Sequence, residues 1–282
     1  AAFDTELIPN SVWFDGSADF MSKTFGSGSA QTKIVWSSWV QRLKFGSAQD
    51  IFGAIGGTGG ASRQNRIHFQ SDDTIDIQIE TTTLKTIIYS TTKVFRDIGW
   101  YHILLSIDQG QSVGPAQVNL FVNGVAVTIA ATVLDQGFTA ALSSWGNAAA
   151  HSIGKSTTFC AAYQAQATML VGKSIQAGDV AVTDFLEAFS YGTNGSQFGP
   201  KANADVAALA STAGGNSFCL DFANSSDLGN DISSNNNDFS LTSMAAANQR
   251  TNTPSLVYPT MTPLNDIATV VLSEGNTRVN AQ

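Results

Sequence analysis

"FRDIGWYHILLSIDQGQSVGPAQVNLFVNGVAV", residues 95–127, decides the architecture. Its segment "WYHILLSID" sets Tyr101, Ile103, Leu105 and Ile107 on one side and Trp100, His102 and Leu104 on the other. That is the two-residue period of a strand. Both sides are partly apolar, which places the strand centrally in a sheet, with Trp100 at its buried entry. "VNLFVNGVAVTI" reads as a hairpin: Val118, Leu120 and Val122 face one way, and Asn123-Gly124 supplies the two positive-φ positions of a type I′ turn. Hardly any reactive side chain lies in the stretch, so it is scaffold.

The same period runs outward from it. "DTIDIQIE" sets Ile75, Ile77 and Ile79 against Asp76, Gln78 and Glu80, the pattern of a half-buried strand whose polar side faces solvent. "KIVWSSWVQRL", "IFGAIG", "RIHFQS", "KTIIYSTT" and "ATMLVGKSI" are further strands. "NADVAALAST" is a short helix with Asn203 as its cap, ended by Gly214-Gly215, and "VTDFLEAF" offers one or two turns. Many short strands with Gly-rich turns and little helix predict an all-β sandwich. "FANSSDLGNDISSNNNDFSLTSM" is dense in turn-forming Asn, Ser and Asp. Three prolines in "TNTPSLVYPTMTPLN" keep that piece extended, and "TVVLSEGNTRV" returns to strand. The expected organisation is a domain over 1–240 and an extended arm or linker over 241–282.

A chain of 282 residues with 43% hydrophobic content can bury a large core. Charged residues are only 13%, so Ser, Thr, Asn, Gln and Gly cover the surface. The net charge of −8, with 14 Lys and Arg against 22 Asp and Glu, argues against a nucleic-acid partner, which needs basic patches. The two cysteines, Cys160 and Cys219, are too few for a disulfide framework and lack metal-ligand spacing, so both read as buried small hydrophobes. No secretory signal opens the sequence and no apolar run approaches the ~20 residues of a membrane span. The expectation is a soluble chain, not inserted in membranes, that leaves its cell by a route such as lysis.

"FDGSADFMSKTFGSG", "WSSWVQRLKFG", "IHFQSDDTIDIQI", "VFRDIGWYHILLSID", "VNLFVNGVAV", "HSIGKS" and "CLDFANSSDLGNDISSNNNDF" follow one another in order. Together they resemble the concanavalin A-like lectin/glucanase domains of the laminin-G/pentraxin type. Within that group they look like the version found in virion structural proteins of marine tailed phages. The resemblance runs from about Trp13 to Phe239 and thinly onward through "VLSEGNTRV". It implies a jelly-roll sandwich of two antiparallel sheets and a place on the virion surface, as capsid decoration, tail fibre or spike.

Some members of the wider superfamily are glucanases, and retaining hydrolysis needs two carboxyl groups ~5–5.5 Å apart. On "DTIDIQIE" the middle place is Gln78, which leaves Asp76 and Glu80 roughly 13 Å apart along the strand. That is too wide. His68, His102 and His151 are isolated in the sequence, with no second histidine at i+4, and read as structural. "GGTGGAS", residues 56–62, lacks the lysine and helix of a phosphate loop and reads as a flexible loop. No catalytic residue and no cofactor are assigned.

The sole metal candidate is calcium, through Asp221, Asp227 and Asp231 in the Asn-rich loop. The Asp-x-Asp-x-Asp-Gly order is missing, so these side chains are expected to cap turns. Trp145, Tyr163 and Tyr191 stand in polar, loop-like stretches and are the candidate glycan platforms. In the arm, Leu256, Val257, Tyr258, Val270, Val271 and Leu272 are the candidate assembly contacts.

The function this reading expects is that of a non-enzymatic virion structural protein, acting through contacts with other virion proteins and copies of itself. It would be assembled in the host cytoplasm and released by lysis. The alternative is a module of a tail fibre that binds host surface glycans; glycoside hydrolysis ranks third.

Overall fold

The computed structural model describes residues 7–26, 28, 30–57, 64–83, 86–112, 114–133, 140–190, 196–254, 270–273 and 278–281, the last two segments by their backbone. The first strands are β1 (Ser11–Asp15), β2 (Phe20–Thr24), β3 (Lys33–Arg42), β4 (Gln49–Ile55), β5 (Gln64–Phe69), β6 (Ile75–Glu80) and β7 (Thr86–Thr91). They continue with β8 (Trp100–Asp108), β9 (Val118–Val122), β10 (Val125–Val127), β11 (Ile129–Val133), β12 (Ala150–Ile153), β13 (Ala161–Val171), β14 (Leu186–Ser190) and β15 (Ser196–Pro200). After helix α1 (Asn203–Thr212) come β16 (Phe218–Leu220), β17 (Ser240–Thr242), β18 (Gln249–Arg250), β19 (Val270–Ser273) and β20 (Arg278–Ala281).

These strands build a jelly-roll sandwich of two large antiparallel sheets. The first runs β10-β9-β8-β3-β13-β1-β18, with β16 added along β13, and the second runs β11-β7-β6-β5-β4-β12-β2-β17. β8 is central, as its two apolar sides require, and all nine of its residues are buried. Between the sheets lies the main core. Trp36 and Ile34 of β3, Ile103 and Leu105 of β8 and Met169 of β13 meet Phe52, Ile67, Ile77, Ile79 and Tyr89 of the second sheet.

The first sheet is covered on its outer side too, where Val35, Leu104 and Leu170 pack with Val206, Ala207 and Ala210 of α1 and with Phe185. The helix occupies the expected residues, but Ala202 is its cap, and Asn203 instead accepts a hydrogen bond from Gln166. "VTDFLEAF" forms a single 3-10 turn, Val182–Asp184, and then β14, which hairpins with β15.

The Asn123-Gly124 turn has φ of 51° and 78°, the expected left-handed pair. A Cβ on Gly124 would also lie 2.5 Å from the Phe198 ring. Both cysteines are buried and free, and burial pushes each thiol up to about 12.

The sheets draw in residues beyond 240. Ser240–Thr242 pairs with β2 and Gln249–Arg250 with β1, while the Asn248 amide bonds the Trp13 carbonyl and the Asp19 carboxylate. "TVVLSEGNTRV" contributes β19, which pairs with β20. At each side of the sandwich the chain crosses from one sheet's edge to the other's. Thr128 alone separates β10 from β11, and residues 243–248 join β17 to β18.

Candidate functional site

The polar residues of β6 do not face solvent as their alternation suggests. Asp76, Gln78 and Glu80 are only 5%, 6% and 8% exposed. They point away from Ile75, Ile77 and Ile79, onto the outer side of the second sheet, and there they join a laterally bonded polar layer. Cross-strand register aligns Asp50, His68, Asp76 and Ser90 in one row, and Gly53, Arg66, Gln78 and Ile88 in the next. A register shift between Asp50 and Phe52 lets β4 show Asp50 to this side while Phe52 enters the core.

Arg66 Nε donates to Gln78 Oε1, Gln78 Nε2 donates to Glu80 Oε1, and the Gln64 N–H donates to Glu80 Oε2. Gln70 Nε2 donates to Asp76 Oδ2 at 2.7 Å. Such bonding offsets the desolvation that burial imposes on polar groups.

Residues 155–159 fold over this layer as a narrow loop closed by a bridge between Lys155 and Phe159. Asp50 anchors the loop. Its Oδ2 accepts from the N–H and the hydroxyl of both Thr157 and Thr158, at 2.6–3.1 Å, and its Oδ1 accepts from Arg66 Nη1 at 3.2 Å. Ser156 stands so close to Gly53 that a Cβ there would meet its Cβ at 2.6 Å. At the loop's rim the Lys155 ammonium lies 4.5 Å from the ring centres of both Phe20 and Phe159.

The carboxylates are poorly arranged for hydrolysis. Asp76 and Glu80 share a strand with Gln78 between them, at a rise of roughly 13 Å. Asp50 and Asp76 lie two strands apart, roughly 9–10 Å. That is the upper end of the ~6.5–9.5 Å that inverting hydrolysis uses. Asp50, however, is fully buried, with four donors on one oxygen and Arg66 on the other, so it is closed off from an attacking water.

His68 lies in the same row as the two aspartates, not isolated as its sequence surroundings suggest. Its Nδ1 is 3.8 Å from Asp50 Oδ1. Burial, assisted by the Arg66 charge, holds its pKa below the ordinary value against the pull of Asp50 and Asp76. The other two histidines are core residues. His102 Nε2 is 2.8 Å from Ser37 Oγ with its ring tilted against Trp39, and burial takes its pKa down to about 3. His151 Nε2 accepts the Gly146 N–H while Nδ1 is 3.0 Å from the Ala149 carbonyl; burial takes its pKa down to about 4.

Asp231 and Asp221 serve the backbone around the Asn-rich loop. Asp231 Oδ1 accepts from the Cys219 and Ser233 N–H groups, and Oδ2 from the Ser233 hydroxyl and the Asn237 N–H. Asp221 caps the Ala223 N–H, with its pKa raised by burial, and Asp227 is exposed. Among the described residues no three His, Cys, Asp or Glu side chains come together as a metal site.

Trp145 cannot carry a sugar. It is fully buried, its ring stacked 6.0 Å from that of Phe52. A loop position in the sequence hid a core anchor, because residues 142–149 turn inward to cap the sandwich. Tyr163 is half-buried in β13, its ring tilted against Trp100 at 6.5 Å. Tyr191, Leu256, Val257 and Tyr258 lie outside the described residues, as does most of the "GGTGGAS" loop. Val270, Val271 and Leu272 are placed by backbone in the β19–β20 hairpin.

Sequence reasoning missed Asp50 and the loop it anchors. The signal was a carboxylate at the mouth of the apolar run "IFGAI", but the register shift that turns it outward is not written in the alternation.

No family model matches the chain, and no curated protein matches it. Among solved structures, it is similar to the heptameric SAP-like pentraxin of Limulus polyphemus, at 10% identity and TM-score 0.43, over 58% of this chain and 76% of that one. It is also similar to the LG4-5 domains of mouse laminin alpha1, at 8% identity and TM-score 0.43, over 59% of this chain and 42% of that one. A tailspike protein 2 from an Escherichia coli O157:H7 bacteriophage is similar at 10% identity and TM-score 0.39, over 55% of this chain and 22% of that one. The chain thus spans less than half of the laminin and tailspike chains it matches.

Proposed function

We propose that the chain is a non-enzymatic structural module displayed on a phage particle, working through assembly contacts rather than chemistry. One observation carries the reading: the polar groups best placed for a reaction are spent on holding the fold. Asp50 takes four donors from Thr157 and Thr158 on a single oxygen, Asp231 takes three donors from its own loop and one from Cys219 of β16, and the Ser37–His102 pair is sealed in the interior. These saturated carboxylates and this sealed imidazole stiffen a scaffold and are not available to exchange a proton with a substrate. The placement on a phage rests on the sequence resemblance. The glycan-binding alternative has lost Trp145 as a platform.

In this reading the assembly contacts come from the arm after Pro254, which follows the last described strand paired with the two large sheets. Its Leu256, Val257 and Tyr258 carry apolar area, which yields about 25 cal/mol per Å² when a neighbour covers it. The experiment compares the full chain with a chain ending at Pro254, by light scattering and by incorporation into particles. The shortened chain should melt as a folded domain yet stay monomeric and absent from particles. Normal incorporation of that chain, or its binding to a defined glycan on an array, would overturn the assembly reading.

A further inference from the structure

His68 is 2% exposed, yet neither ring nitrogen has a hydrogen-bond partner. Its direct cross-strand neighbour, Asp76, carries the complementary defect: Oδ2 accepts from Gln70, but the buried Oδ1 accepts from no donor. Buried polar atoms without partners cost free energy, and two such atoms side by side mark a place built to change state. Protonation mends both defects. Imidazolium donates from both nitrogens, whereas neutral imidazole donates from one. Asp50 Oδ1 waits 3.8 Å from Nδ1 on one side, and Asp76 stands on the other.

We propose that His68 is a proton-operated latch on the loop of residues 155–159. With His68 neutral, the Asp50 carboxylate belongs to Thr157, Thr158 and Arg66, and the loop is held down. A proton on His68 inserts a cation between Asp50 and Asp76, competes with Arg66 for Asp50 Oδ1 and draws the carboxylate away from the loop. The charged groups facing His68 are Asp50 from β4, Arg66 from its own strand and Asp76 from β6; β7 brings the uncharged Ser90 and the loop the uncharged Thr157. The two carboxylates favour the proton, while Arg66 and burial oppose it, so the latch opens on the acid side of an ordinary histidine. Arg66 also donates to the Thr157 hydroxyl, so its displacement frees the loop at a second point.

The test follows the full chain by NMR across the range from about pH 8 to pH 4, which brackets the ordinary histidine value. The His68 ring is titrated while hydrogen exchange is read at the Thr157 and Thr158 amides, corrected for intrinsic pH dependence. Exchange at both should accelerate about tenfold as His68 takes its proton. The acceleration should vanish in His68→Gln, and in Asp76→Asn the His68 midpoint should move to lower pH. Constant protection through the titration, the same acceleration in His68→Gln, or an unmoved midpoint in Asp76→Asn would each overturn the latch. So would global unfolding before His68 titrates. Should His68→Gln not fold, the Asp76→Asn midpoint decides alone.

Discussion

Trp36 of the first sheet and Phe52 of the second lie stacked across the interior, centroids 5.6 Å apart and planes 14° from parallel. Phe52 also stacks on Trp145, so three rings join the two sheets and the inward-turned loop of residues 142–149. Trp36 is fully buried, and Trp36→Ala should destabilise by about 3–5 kcal/mol. Urea unfolding followed by circular dichroism checks this; a loss under ~1 kcal/mol would mean the sheets do not depend on the stack.

Asp73 ties together three separate loops. Its Oδ1 accepts from Arg42 and the Gly46 N–H, and its Oδ2 accepts from Arg96. Arg42 is buried beneath the Phe69 ring, and removing its counter-charge strands a cation inside. Asp73→Asn should therefore cost about 3–5 kcal/mol. Arg96→Gln, at a partner whose side chain is 61% exposed, should cost no more than ~1 kcal/mol. The two melting temperatures, measured side by side, test that asymmetry.

The fold should be acid-labile for a reason separate from its carboxylates. His102 and His151 are fully buried, with pKa values taken down by burial to about 3 and about 4. Unfolding frees them to titrate near 6.5. The unfolded chain therefore binds the protons first, and stability falls as pH drops below the unfolded value, levelling only below the folded ones. Each histidine contributes a slope of about 1.4 kcal/mol per pH unit within its window. Denaturation free energies at several pH values should show His102 and His151 together contributing an uptake of about two protons on unfolding between roughly pH 6 and pH 5, with a further fraction from His68. His151→Gln should remove one of them.

At the 123–124 turn, Gly124→Val should cost about 1–2 kcal/mol, because a β-branched residue is strained at positive φ. It would also strike Phe198. Gly124→Asn, which tolerates the backbone better, keeps only the collision. A Phe198→Ala background should recover stability for Gly124→Asn more fully than for Gly124→Val, as read by thermal melts.

The fold was legible where the apolar pattern of a segment matches what covers each of its faces. "WYHILLSID" has apolar residues on both sides and is covered on both sides, and Asn123-Gly124 turned as the flanking alternation required. The same logic failed at "DTIDIQIE", because alternation reports that Asp76, Gln78 and Glu80 share a side but not what lies over it. That cover comes from residues 155–159, about 80 positions later in the chain. Asp50 was hidden by a register shift, which leaves no mark in composition. Trp145 was misplaced because polar neighbours such as Ser143 and Asn147 suggest solvent, although both are themselves buried. The Asn-rich loop was easier, since Asp231 capping Ser233 and Asn237 is a local event.

The two crossings at the sides of the sandwich bear on how it would respond to load. Thr128 carries the chain from one sheet's edge strand directly to the other's, and residues 243–248 do the same on the opposite side. An edge strand pulled from either sheet drags its counterpart on the other sheet with it. Prising the layers apart therefore strains covalent chain along both margins and not only the packed rings between them. Tension applied at such a margin is shared between β10 and β11, or between β17 and β18, so it loads both sheets at once.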